Sequence, residues 1–99
     1  MIEKVLFLPL AEADLADAYD WYETHQPGLG IRFIQAVDAR ISWIQQNPLM
    51  SEIVYQSYRR CLVPPFPYAI IYDFEEDRMV INSVFHCSQD PRNLRRRLR

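Results

Sequence analysis

Glycine is nearly missing: only Gly28 and Gly30 occur among 99 residues, both in one short segment. That shortage excludes a Gly-rich phosphate loop, where the backbone must approach a ligand closely at several positions. Cysteine is as scarce. Cys61 and Cys87 are too few for a disulfide framework and lack CxxC spacing, so both are expected to be reduced and inert. His86 precedes Cys87, but no second ligand pair accompanies them, and no metal site is expected. No serine sits in a nucleophile elbow. No apolar run approaches the roughly 20 residues a membrane helix needs. The opening Met1-Ile2-Glu3-Lys4 lacks the basic-then-apolar pattern of a secretory signal. The expectation is a cytoplasmic chain with no cofactor, no metal and no membrane contact.

What is present is an ordinary globular composition, 49% hydrophobic and 24% charged, in a length that fits one domain over residues 1–99. The formal net charge of −2 is unevenly spread. Residues 1–58 carry three Lys and Arg against eight Asp and Glu, a balance of −5, whereas residues 59–99 carry eight Arg against five acids, a balance of +3. Arg92, Arg95, Arg96, Arg97 and Arg99 all lie in the last eight residues. An acidic body with a basic end implies a charged partner.

Hydrophobic periodicity supplies the elements. Ile2 to Leu8, closed by Pro9, reads as a strand. Ala11, Leu15, Ala18 and Tyr22 form one helical stripe, with Glu12, Asp14 and Asp17 on the wetter side, and Pro27-Gly28 ends the helix. Phe33, Ile34, Val37, Ile41 and Ile44 make the stripe of a second helix, Gly30 to Gln46, stopped by Asn47-Pro48. A link of about four residues between them predicts an antiparallel helical hairpin. Tyr58 to Val63 is strand-like. Phe66 to Phe74 alternates, with Phe66, Tyr68, Ile70, Tyr72 and Phe74 on one face and Ala69 and Ile71 on the other. After a turn at Glu75-Glu76-Asp77, Arg78 to Phe85 is apolar on both faces, as a central strand is. Asp90 and Pro91 have the chemistry of an N-cap and first helical position, with Leu94 and Leu98 on one side of a short final helix. The expected fold is α+β: a helical hairpin on a mostly antiparallel four-stranded sheet, order β-α-α-β-β-β, with a short C-terminal helix.

Few residues carry chemistry. Asp14 and Asp17 read as a solvated helix face. His86 suits a general base near neutral pH, or it caps the sheet by hydrogen bonding. Arg59 and Arg60 are adjacent in a strand and so point to opposite faces; one of them has the geometry to bind a phosphate or a partner's carboxylate. Tyr68 and Tyr72 share a strand face, either as core residues with hydroxyls at the edge or as partner contacts. Trp21 and Trp43 fall partly outside the apolar stripes and are candidate interface anchors. Arg92, Arg95, Arg96 and Arg99 cover a helix surface that suits phosphates or an acidic protein segment.

The motifs fall in a recognisable order. Ala11-x-x-Asp14-Leu15 opens the first helix, Trp21-Tyr22 follows, and Gly28-Leu29-Gly30-x-x-Phe33 leads into the second. Arg60 precedes Leu62; then come Phe66-Pro67-Tyr68-x-Ile70-x-Tyr72, Val84-Phe85-His86, and Asp90-Pro91 with an Arg-rich end. This sequence resembles the RelE/ParE toxin superfamily of type II toxin–antitoxin modules, on the ParE-like, plasmid-stabilisation side. The resemblance spans nearly the whole chain and implies the fold derived above. It also implies a toxin neutralised by a cognate antitoxin, whose C-terminal segment folds as it wraps the toxin. ParE-like members poison DNA gyrase. RelE-like members cleave mRNA on the ribosome with basic groups on the sheet and in the tail.

Three departures weigh against the nuclease. Ala69 follows the strand tyrosine where RelE-like enzymes commonly carry arginine, Cys87-Ser88-Gln89 follow the last strand in place of basic residues, and the last tyrosine is Tyr72. Arg60 and His86 are then the only catalytic candidates, a thin set for a base, a phosphorane stabiliser and an acid. The resemblance thus implies a ParE-like gyrase inhibitor. The alternatives are a RelE-like mRNA endonuclease and a non-toxic binding module that keeps the fold. An acidic antitoxin segment is expected on the sheet-and-tail side, near Arg60 and Arg92 to Arg99. The apolar positions around Trp21, Trp43 and Leu94 suit either a homodimer face or the antitoxin groove.

Overall fold

The computed structural model describes residues 2–98. The elements are β1 (Lys4–Phe7), α1 (Pro9–His25), α2 (Leu29–Gln46), β2 (Glu52–Tyr55), β3 (Tyr58–Val63), β4 (Phe66–Glu75), β5 (Arg78–His86) and α3 (Pro91–Arg97). The sheet has five strands in the order β1-β5-β4-β3-β2; β1 runs parallel to β5, and the other pairs are antiparallel.

The helical hairpin, the alternation of β4 and the capped final helix are all as the periodicity predicts. The fifth strand is not. β2 is four residues long, carries Glu52, and turns into β3 through Gln56 and Ser57 without a glycine. Gln56 takes φ 51° in that turn, and Glu76 takes φ 58° in the turn between β4 and β5. The glycine-poor chain thus places ordinary side chains in the left-handed region at both hairpins, which removes the signal that marks a hairpin in sequence. Pro9, read as closing the first strand, is instead the first residue of α1, where its missing N–H leaves nothing unpaired.

The two glycines serve the α1–α2 corner. Gly28 has φ 87°, and a Cβ on Gly30 would lie 2.8 Å from the Tyr19 ring. Glu23 closes the corner by accepting from the Gly28 and Gly30 N–H groups at 3.0 Å. A carboxylate there satisfies free donors at the start of α2.

The hairpin buries Tyr22, Phe33, Val37 and Ile44 against Ile70, Tyr72 and Ile81 on one sheet face. Fully burying a side chain the size of Ile44 or Ile70 contributes about 1.5–3 kcal/mol. The opposite face carries a smaller cluster of Ala69, Ile71, Phe85 and Leu98, with Leu94 packed beside it. The sheet is therefore covered on both faces, by the hairpin on one and by α3 on part of the other.

Candidate functional site

The short reach of β1 creates the first notable feature. β1 pairs with β5 only across Arg78 to Ile81, so the rest of that β5 edge has no strand beside it. Asp14 on α1 fills the gap. One of its carboxylate oxygens accepts from the Val84 N–H at 2.9 Å, and the carboxylate also binds the Arg97 guanidinium at 2.7 and 2.8 Å. The two side chains are only 17% and 21% exposed. Asp14 thus ties together the hairpin on one face, the sheet edge, and α3 on the other face.

Beside this hub a cleft of about 580 Å³ opens between α1 and the ends of β4 and β5. Its walls include Asp17, Trp21, Tyr22, Tyr68 and His86. Burial pushes the Tyr68 hydroxyl above its ordinary pKa, and the negative charges of Asp14 and Asp17 push the same way. Burial raises Tyr22 as well, with Tyr68 adding to it. The His86 ring packs edge-on to Tyr68 at 4.9 Å. Its Nδ1 accepts from the Ser88 N–H at 3.0 Å, with the Ser88 hydroxyl 2.7 Å away. That nitrogen is committed to closing the turn after β5.

The other face, around α3, is where the cations gather. Asp90 caps α3, accepting from the Arg92 N–H at 2.9 Å and from its guanidinium at 2.7 Å. Those bonds hold the Asp90 carboxyl below the usual range, the side-chain bond contributing most. The Arg95 guanidinium lies 6.0 Å over the Tyr55 ring of β2. Arg60 pairs with Glu52 across β2 and β3.

The family profile described as "ParE toxin of type II toxin-antitoxin system, parDE" matches residues 5–91. The chain belongs to the ParE toxin family. A solved structure, the chromosomal ParDE TA system from P. aeruginosa, is similar with a TM-score of 0.76 and 17% identity, covering 86% of this chain and 96% of that one. At that identity the likeness bears on the fold. No curated protein sequence matches the chain.

Within this ParE-family chain the two catalytic candidates do not meet. His86 stands in register with Tyr68, on the hairpin face, whereas Arg60 stands in register with Ile71, on the α3 face. Arg59 takes the hairpin side and donates to the carbonyls of Leu49 at 3.2 Å and Ser51 at 2.6 Å, so it fastens the loop before β2. Tyr72 is fully buried in the core, which removes it from the partner-contact candidates; Tyr68, one pair of residues nearer the strand end, reaches the cleft. Trp21 is 56% exposed and stacks on His25 at 3.8 Å. Trp43 is partly buried, its ring under the Arg40 guanidinium at 4.7 Å. Arg92, Arg95 and Arg96 are exposed, while Arg99 lies outside the described residues. Among the described residues no group of three His, Cys, Asp or Glu side chains is arranged to hold a metal, and no helix is long and apolar enough to cross a membrane.

Asp14, expected on a solvated helix face, and Arg97, one of the C-terminal arginines, are instead partners in a largely buried ion pair. Asp14 is not part of a solvated face. It follows Ala11 by three and precedes Ala18 by four, so it falls on the buried stripe, and an acid there was the available signal. Arg97 carries no such mark within a run of arginines.

Proposed function

We propose that this chain is the toxin of a cytoplasmic ParE-like module, that it acts by binding and inhibiting DNA gyrase, and that a cognate antitoxin neutralises it by laying an acidic segment over the sheet-and-tail side. The observation that carries the reading is the family match over residues 5–91, joined to the separation of Arg60 and His86 on opposite faces of the sheet. A general base and a phosphate-binding cation must reach one scissile bond within hydrogen-bonding distance. Two groups divided by the sheet do not meet that requirement, which favours inhibition through protein contact over RNA cleavage. Arg95 and Arg96 on the α3 side supply charge for an acidic segment.

Induced expression without the antitoxin tests this. Growth arrest with altered plasmid supercoiling is expected, together with inhibition of purified gyrase by the purified chain. Growth arrest with intact supercoiling and new mRNA cuts in the ribosomal A site would replace gyrase with the ribosome as target.

A further inference from the structure

The cleft between α1 and the ends of β4 and β5 lies outside the contacts proposed above, and it holds polar groups that the fold does not use. Tyr22, Phe33, Phe66 and Tyr68 form one aromatic cluster, with ring centroids 5.0 to 6.2 Å apart. The two rings that line the cleft are tyrosines, and the two that do not are phenylalanines. Tyr22 is only 8% exposed. Neither its hydroxyl nor that of Tyr68 hydrogen-bonds to a described residue. A phenyl ring would fill the same space, and a polar group taken this far from water is ordinarily paired. Two hydroxyls facing a cleft of about 580 Å³ without partners are therefore free for something that enters it.

Charge identifies the visitor. Asp17 is exposed in the wall and makes no ion pair among the described residues. Among those residues no lysine or arginine lines the cleft, and the His86 ring accepts a hydrogen bond at Nδ1, as a neutral imidazole does. Carboxylate, phenol oxygens and aromatic faces all present negative potential. Burial, and then the charges of Asp14 and Asp17, favour the protonated form of the Tyr68 phenol; the field that opposes a further anion there favours a cation. Trp21 adds an indole ring that is still 56% exposed, one helical turn from Asp17. The chain already makes the corresponding contact within itself, where the Arg40 guanidinium lies 4.7 Å from the Trp43 ring centre. We propose that the cleft is a binding site for a guanidinium group, with its plane against Trp21 and its N–H fork donating to the Asp17 carboxylate and the Tyr68 hydroxyl. A guanidinium suits the site better than an ammonium, because it is planar, weakly hydrated and carries several donors in fixed directions. The group is carried either by an arginine within a protein chain or by a free alkylguanidine.

The test titrates the full chain with N-butylguanidinium and, in parallel, with N-butylurea, its uncharged isostere, and follows the two indole N–H signals by NMR. Butylguanidinium is expected to shift the Trp21 signal with a dissociation constant of about 1–10 mM, the strength of one partly solvated cation contact. The Trp43 signal, from a ring already covered by Arg40, is expected to stay in place. Butylurea is expected to bind about tenfold more weakly. Asp17→Asn should weaken butylguanidinium binding about fivefold and Tyr68→Phe about threefold, with the circular dichroism spectrum unchanged. Asp20→Asn, on α1 but outside the cleft, should leave binding as it is. Equal binding of butylurea overturns the cation site, as does a Trp21 signal that does not move at about 50 mM butylguanidinium, or an Asp17→Asn variant that binds like the parent. Two further probes assign the source, and either answer upholds the site: N-acetyl-L-arginine amide binding where L-arginine does not points to an arginine within a protein chain, and tighter binding of L-arginine or agmatine points to a free guanidine. None of these results touches the toxin reading, which has its own test in growth and supercoiling.

Discussion

Asp14 has three duties that no neighbouring residue shares: it ends a gap in the sheet edge, neutralises Arg97, and holds a helix that lies on the far side of the sheet. Its replacement separates these contributions. Asp14→Asn keeps an acceptor for the Val84 N–H but leaves the Arg97 charge largely desolvated without a partner, and should cost about 2–3 kcal/mol, below the 3–5 of a fully buried pair because both side chains retain some solvent. Asp14→Ala loses the acceptor too and should cost about 1 kcal/mol more. Arg97→Met keeps an apolar stem over Phe85, whose ring lies 5.8 Å from the Arg97 guanidinium. In urea unfolding, the Asp14→Asn/Arg97→Met double variant should therefore lose less than the sum of the singles, with a coupling of about 1–3 kcal/mol. Strict additivity would mean that the ion pair contributes nothing and that α3 is held by Leu94 and Leu98 alone.

At the level of elements, α3 is short enough that its ends decide it. Seven residues cannot sustain an isolated helix, so its cap and its packing must do so. Asp90 accepts from the Arg92 backbone and guanidinium, and its carboxyl is held below the ordinary aspartate value of about 4. A depressed folded value means that the cap is fully formed above the ordinary value and is lost as pH falls through the lower one. The ¹³Cα shifts of Asn93 and Leu94 should thus stay helical from pH 7 to about pH 4 and move toward coil below it. Asp90→Asn, which cannot protonate, should flatten that response, and an unchanged response in the variant would assign it to another group. This helix was legible in sequence because its cap, proline and leucines are local chemistry. So were α1, α2 and β4, whose stripes run over 17, 18 and 10 residues. β2 was not, because four residues are too few for a period and Gln56 stands where a glycine would have marked the turn. The Asp14–Arg97 tie joins residues 83 apart, and only the placement of α3 across the sheet brings them together.

For the molecule as a whole, the divided charge of the sequence becomes a two-sided body, but a weaker one than counting suggests. Of the seven described arginines from Arg59 onward, Arg60, Arg78, Arg92 and Arg97 are paired with carboxylates, which leaves Arg59, Arg95 and Arg96 without one. Arg59 is held against backbone carbonyls, so of these seven Arg95 and Arg96 carry most of the outward positive field. Fields of this kind steer encounter more than they hold a complex together, and they fade over about 8 Å at physiological salt. Arg95→Glu/Arg96→Glu should therefore slow association with the proposed acidic segment of the antitoxin about tenfold or more at low ionic strength, and largely abolish the salt dependence of the on-rate. Arg92→Glu, which removes a charge already neutralised by Asp90, should change the on-rate less. Stopped-flow association across a salt series distinguishes these cases. If the double reversal left the on-rate intact and acted only on dissociation, the two arginines would be contacts within the bound interface, and the charge division of the chain would have no part in bringing the partners together.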